Sequence, residues 1–274
     1  YGYARQDKKH RGREPISARL MADLFKAAGA DRLMVVDLHT SQIQGFFDGP
    51  VDHLFALPLL TNYVGSKVDR NNLTIVSPDS GRVRVAERWS DLMGGCPIAF
   101  IHKTRDPRIP NEATIGRIVG DVKGRTAVVI DDMIDTAGTI VKAVDACLEA
   151  GASEVIVAAT HGVLSGPAVD RLKNSGATEV VLTNTLPIQE ESKFEKLTIL
   201  SIAPLLARAI REVFEDGSGG ILVHNLEERI AAIEKLALNR EAVKIMGQNA
   251  QIYALKKFSI EKFIDEHLRV YNSI

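Results

Sequence analysis

Cysteine is scarce: Cys96 and Cys147 are the only two in 274 residues, and they form no Cys-x-x-Cys pair. This argues against a disulfide framework or a catalytic thiol and marks both as reduced, buried small hydrophobes of a cytoplasmic protein. Long apolar runs are also lacking, since no stretch approaches the ~20 residues that span a bilayer, and no secretory leader is visible. An excess of one charge is missing too. With 34 Lys and Arg against 35 Asp and Glu, the net charge of -1 gives no general attraction to nucleic acid or an anionic membrane. The chain opens at Tyr1 rather than Met, so the natural start is expected to lie upstream. What remains is length enough for one or two domains with substantial cores.

Helical and strand periods alternate along most of that length. Ile16, Leu20, Leu24 and Ala28 recur at helical spacing and stop at Gly29. Strands are predicted over 32–38, 73–76, 97–101, 126–130, 154–160, 179–182 and 197–202, and helices over 57–68, 83–93, 140–150, 167–174 and 203–213. This is an α/β pattern, with parallel sheets covered by helices on both faces. Ligands then gather at the carboxyl ends of the strands. His39, Asp79, Lys103 and Asp131 each follow such an end, which points to one composite site.

The most informative stretch is 128–139, Val-Val-Ile-Asp-Asp-Met-Ile-Asp-Thr-Ala-Gly-Thr. An apolar run ends in Asp131 and Asp132. A short loop with Asp135, Thr136, Ala137, Gly138 and Thr139 then opens an amphipathic helix. Free backbone N–H groups at a helix start favour an anion, and Gly138 lets the backbone come close to a phosphate. The carboxylates cannot serve that phosphate; they suit hydroxyl donors or a Mg²⁺ ion. A ribose 5-phosphate satisfies both halves of the loop.

The twelve-residue string resembles the phosphoribosyl diphosphate loop of type I phosphoribosyltransferases and ribose-phosphate diphosphokinases. Other strings resemble the diphosphokinase family alone: Tyr1-Gly2-Tyr3-Ala4-Arg5-Gln6-Asp7-Lys8-Lys9, Val36-Asp37-Leu38-His39, Gln42 to Asp48, Val76-Ser77-Pro78-Asp79, His102-Lys103-Thr104-Arg105 and Gly120 to Gly124. The resemblance covers about residues 1–217. It implies transfer of the diphosphoryl group of ATP to the C1 hydroxyl of ribose 5-phosphate, giving phosphoribosyl diphosphate and AMP for nucleotide biosynthesis.

The resemblance also implies roles. Lys103 and Arg105 are the expected catalytic cations, on a mobile loop over 103–113. Arg5, Gln6, Asp7 and His39 are expected at the ATP, and His39 and Asp79 at Mg²⁺. Asp131, Asp132, Asp135, Thr136, Ala137, Gly138 and Thr139 are expected at the ribose 5-phosphate. A homo-oligomer built on dimers, often hexameric, is implied as well. The implied fold is two phosphoribosyltransferase-like parallel-sheet domains, the first incomplete, plus a C-terminal helical appendage. The expected divisions are 1–56, 57–200, a last helix over 201–217 returning to the first domain, and 218–274.

Three departures stand out. Ser80-Gly81-Arg82 lies where many relatives carry two glycines, leaving the role of Arg82 open. The family's stretch ahead of Tyr1, which holds an adenine-binding loop, is not in the sequence, so the strand over 33–38 is expected to lose neighbours. Beyond 217–220 the chain departs from the family. Asn225 and Glu228 make a capping box, Leu226, Ile230, Ile233 and Leu236 recur at helical spacing, and 246–271 resembles the closing helices of a GT-B-type glycosyltransferase. A non-catalytic ribose-phosphate-binding subunit or inactive fragment is the alternative reading. A phosphoribosyltransferase would leave Arg5–Lys9 and His39 unexplained.

Overall fold

The computed structural model describes residues 2–9, 12–102, 117–214 and 226–257. It divides into two compact units, Tyr1–Ile202 and Ala203–Ile274.

The first unit is built on a seven-stranded sheet. Its strands in chain order are β3 (Leu73–Ser77), β4 (Ile98–His102), β5 (Arg117–Val119), β6 (Thr126–Ile134), β7 (Glu154–Gly162), β8 (Glu179–Thr183) and β9 (Leu197–Leu200). Across the sheet the order is β5-β4-β3-β6-β7-β8-β9, parallel except for the β4–β5 pair. Two earlier strands, β1 (Leu33–Val36) and β2 (Val51–Leu54), form a separate parallel pair.

Alternation along β6 sorts its side chains to the two faces. Ala127 and Val129 pack with Ile140, Ala143, Val144 and Cys147 of α4 (Gly138–Glu149) and with Leu172 of α5 (Ala168–Asn174). Val128 and Ile130 pack on the other face with Leu60 and Val64 of α2 (Leu57–Lys67) and with Ala86 and Trp89 of α3 (Val83–Leu92). Both cysteines are buried free thiols, one in each layer. Before β1, helix α1 (Ser17–Ala27) buries Ala18 against Ala4 and Ile43.

Most expected elements lie within one or two residues of their predicted bounds, and four observations differ. β6 runs on to Ile134 rather than stopping at Ile130, because its pairing with β7 continues through Asp131↔Ala159 and Ile134↔Gly162. β1 ends at Val36 because Asp37 has φ 42°, which takes the chain out of extended backbone. β2 and β5 were not expected. They have four and three residues, too short for a period to register. β2 gives β1 one neighbour, and Met34 remains 39 % exposed.

The second unit contains α6 (Ala203–Phe214), α7 (Leu226–Leu238) and α8 (Arg240–Lys257). Asn239 separates α7 from α8, and its Oδ1 accepts from the Ala242 N–H at 2.9 Å, capping α8. The helical period over 226–236 is realised in α7, with Ile230 and Ile233 exposed. The expected capping residue Asn225, the junction 217–220 and the stretch 258–274 lie outside the described residues. No described helix is long and apolar enough to cross a membrane.

Candidate active site

β6 delivers Asp131 and Asp132 at its carboxyl end, and the chain then turns through Asp135 and Thr136 into α4. The turn depends on Ala137, whose φ of 60° is left-handed and sterically costly for a residue with a Cβ. The first helical bond of α4 runs from Val141 N–H to Ala137 O. The N–H groups of Gly138, Thr139 and Ile140 therefore have no partner within the helix and head the positive end of its dipole. Arg171 of α5 braces the turn from behind by donating to Thr136 O at 2.9 Å. Its Nη1 lies 3.4 Å from where a Cβ on Gly138 would stand.

Asp135 closes the turn. It accepts from the Ser165 hydroxyl and from Arg5 Nη1, the latter at 2.7 Å. The Ser165 hydrogen bond holds its carboxyl below the usual carboxylate range against the opposing effect of burial, with Arg5 adding to it.

The two adjacent carboxylates behave differently. Burial, joined by the hydrogen bond and charge of Asp132, pushes Asp131 up to about 7, with Arg82 opposing. Burial acts the same way on Asp132, but the His39 hydrogen bond and the Arg82 guanidinium outweigh it and hold that group well below the usual range. Arg82 Nη2 lies 2.7 Å from Asp132 Oδ1, and its Nε 3.5 Å from Asp131 Oδ1. His39 Nδ1 lies 2.7 Å from Asp132 Oδ2 and 3.0 Å from Arg82 Nη2. A ring nitrogen so close to a carboxylate must carry the proton, so Nδ1–H donates to Asp132 and the Arg82 approach is a contact rather than a hydrogen bond. The Nε2 lone pair of His39 is then available to a cation or a donor, the usual arrangement of a metal-binding histidine backed by a carboxylate.

These groups line one cavity of about 220 Å³, with Arg5, His39, Asp79, Arg82, Asp131 to Asp135 and Thr136 to Ile140 around it. Asp79 stands on its wall because Asp79 Oδ1 caps a short 3₁₀ turn, accepting from Gly81 N–H at 2.9 Å.

The remaining predicted site residues are placed differently. Asp7 is 5 % exposed and accepts from Thr40 Oγ1 at 2.6 Å and Gln42 Nε2 at 3.1 Å. Gln6 donates to Lys8 O at 3.0 Å. Neither is among the residues lining the cavity, whereas Arg5 and His39 are. Lys103 and Arg105 lie outside the described residues.

Three contributors carried no strong sequence signal. Arg82 was noticed only as a departure. Ser165 and Arg171 come from the segment after β7 and reach the turn only through folding. Asp37 also acts at a distance: its Oδ2 accepts from Ala56 N–H and from Thr160 Oγ1 on β7, while its carbonyl contacts His161 Nε2 at 2.9 Å. That ties the end of β1 to β7 and sets the loop that carries His39.

Among the described residues no group of three or more His, Cys, Asp or Glu gathers closely enough to hold a metal ion by itself. A hard cation that keeps water and phosphate ligands needs only one or two protein donors, and His39 and Asp79 on the cavity wall fit that requirement.

Comparison with known proteins finds close relatives over most of the chain. Residues 99–224 match the family model described as phosphoribosyl synthetase-associated domain, and residues 1–29 match the N-terminal domain of ribose phosphate pyrophosphokinase. The ribose-phosphate pyrophosphokinase of Streptomyces coelicolor is 69 % identical over 218 residues, covering 80 % of this chain and 67 % of that protein. That of Mycobacterium bovis is 66 % identical with the same coverage. The Bifidobacterium longum protein is 64 % identical over 219 residues, covering 79 % and 64 %. A crystal structure of phosphoribosylpyrophosphate synthetase from Mycobacterium smegmatis superposes with a TM-score of 0.72 at 64 % identity, covering 79 % of this chain and 70 % of that one. The chain thus spans about two thirds of the length of these relatives, and at this identity over that length it belongs to the ribose-phosphate pyrophosphokinase family.

Proposed function

We propose that this chain transfers the diphosphoryl group of ATP to the C1 hydroxyl of ribose 5-phosphate, giving phosphoribosyl diphosphate and AMP. One observation carries the reading. A single cavity joins a helix N-terminus suited to a phosphate to two adjacent carboxylates suited to sugar hydroxyls.

In this reading the 5-phosphate rests on the N–H groups of Gly138, Thr139 and Ile140, with the hydroxyls of Thr136 and Thr139 beside it. Asp131 and Asp132 accept from the ring hydroxyls and fix which face of the ribose presents C1. The C1 oxygen forms a bond to the β-phosphorus of ATP, the bond from that phosphorus to the α,β-bridging oxygen breaks, AMP departs with that oxygen, and the hydroxyl proton is released to solvent. Such transfers depend on alignment and charge neutralisation more than on covalent catalysis. Arg5 and His39, beside Asp135 and Asp132, meet the nucleotide, with Gln6 and Asp7 holding the segment that carries Arg5. His39 and Asp79 would hold Mg²⁺, which when bound neutralises charge on the phosphate oxygens. Lys103 and Arg105 close over the transferring group, as the family resemblance implies. The chain acts as a homo-oligomer in the cytoplasm.

The test is AMP release from ATP and Mg²⁺ by the purified chain, with and without ribose 5-phosphate. Sugar-dependent AMP release is the expected result. Ribose 5-phosphate binding by folded protein with no AMP would replace this reading with that of a binding subunit.

A further inference from the structure

We propose that Arg82 is a resident counter-cation of the sugar site, which lets the cavity take an anionic sugar phosphate with no divalent cation beside Asp131 and Asp132. This rests on the reading of the cavity as a ribose 5-phosphate site. Such a ligand brings a dianion into about 220 Å³ already bordered by two adjacent, largely buried carboxylates. Like charges at this range in a poorly solvated site oppose one another strongly, and a cation held against them relieves that repulsion.

Among the described residues the cavity wall carries two arginines. Arg5 is largely exposed and paired to Asp135 at the opposite end of the turn. The Arg82 side chain is only 19 % exposed and sits against the pair itself, 2.7 Å from Asp132 and 3.5 Å from Asp131. A guanidinium stays charged at every working pH, and its planar fork reaches two carboxylates at once. Its position is fixed by the turn that places Asp79. Asp79 caps the 3₁₀ helix Ser80–Arg82, Arg82 N–H donates to Asp79 O at 3.4 Å, and α3 begins at Val83.

The arrangement compensates charge without saturating the acceptors. Asp132 gives one oxygen to Arg82 and the other to His39, and each carboxylate oxygen has a second lone pair. Sugar hydroxyls can therefore donate to the pair while Arg82 stays in place. The ion-pair position beside Asp131 and Asp132 is held by a side chain of the protein, and a metal is left to serve the nucleotide phosphates near His39 and Asp79.

The experiment is calorimetric titration of ribose 5-phosphate into the full chain, without nucleotide, in EDTA and in millimolar Mg²⁺. Wild-type protein, Arg82→Gln and Arg82→Lys are compared at matched ionic strength, with circular dichroism melts to verify folding. The wild type is expected to bind within about two-fold under both conditions. Arg82→Gln is expected to bind at least about ten-fold more weakly in EDTA and to recover in Mg²⁺, whereas Arg82→Lys keeps most of the EDTA affinity. Wild-type affinity that collapses in EDTA overturns the proposal. So does Arg82→Gln binding as tightly as wild type in EDTA, or remaining weak in both conditions. Folded wild-type protein that binds no ribose 5-phosphate in either condition removes the sugar-site reading, and the role of Arg82 with it.

Discussion

At the scale of single residues the site is governed by two carboxylates with opposite tendencies. Asp132 is held ionised by His39 and Arg82, so Asp132→Asn removes a charged acceptor and leaves both partners facing an amide. The expected loss is about ten-fold or more in ribose 5-phosphate affinity, measured by calorimetry; unchanged binding would remove Asp132 from the sugar site. Asp131 is the reverse case, its folded carboxyl raised to about 7 from an ordinary value of 3.8. A raised acid is favoured protonated in the fold, so its cost to stability is absent below its unfolded pKa. That cost grows as pH rises toward 7 and is complete above it. Asp131→Asn escapes this titration. Its melting temperature relative to wild type should therefore climb between pH 4 and pH 7, and a pH-independent difference would count against the raised carboxyl.

How much of the site could be read beforehand also shows at this scale. Asp131 to Thr139 were legible because all their chemistry is contiguous on one strand–turn–helix. Arg82, Ser165 and Arg171 were not, since an isolated Arg or Ser acquires meaning only when a sheet register brings it to another segment. The left-handed Ala137 was illegible for another reason: the position would ordinarily call for glycine, and the glycine of the turn stands one residue later, at Gly138.

At the scale of elements, the strand ends do the positioning. Six strands of the seven-stranded sheet were legible because they are mostly apolar runs, whereas the three-residue β5 was not. The end of β1 was hard to bound because Asp37 serves contacts that local periodicity does not encode. Asp37 pins the end of β1 to Ala56 at the start of α2 and to Thr160 on β7. Asp37→Ala removes both bonds and is expected to cost about 1–3 kcal/mol in chemical denaturation. Because His39 lies two residues on, nucleotide affinity should fall with it; a loss of stability alone would mean that the His39 loop is set by other contacts. The proposed role of Lys103 and Arg105 can be tested in the same way. Lys103→Ala combined with Arg105→Ala is expected to abolish AMP release while ribose 5-phosphate binding stays within about two-fold. Parallel loss of both would count against a catalytic role for these two cations.

At the scale of the whole molecule, the described residues that line the cavity all precede Ile202 and so belong to the first unit. Removing residues 219–274 is therefore expected to leave ribose 5-phosphate affinity unchanged, as judged by calorimetry on the shortened chain. Weakened binding or loss of the cooperative melt would mean that the helices beyond α6 support the sheet. Those helices were legible as helices from their periodicity, while what they pack against was not, because amphipathic spacing specifies a face and not its partner.

The pair of free thiols gives the fold its own reporters. Cys147 sits in the layer under α4, fully buried and pushed by burial to about 12, and Cys96 sits in the opposite layer, 8 % exposed and also raised by burial. A thiol reagent reacts with the thiolate and needs access to it, so neither cysteine reacts until its own layer opens. Timed alkylation read by mass spectrometry of the two peptides would thus clock the two sides of the sheet separately, in the unaltered protein. Added ribose 5-phosphate should slow the Cys147 clock more than the Cys96 clock, because the loop that would grip the phosphate is the first turn of the helix that carries Cys147.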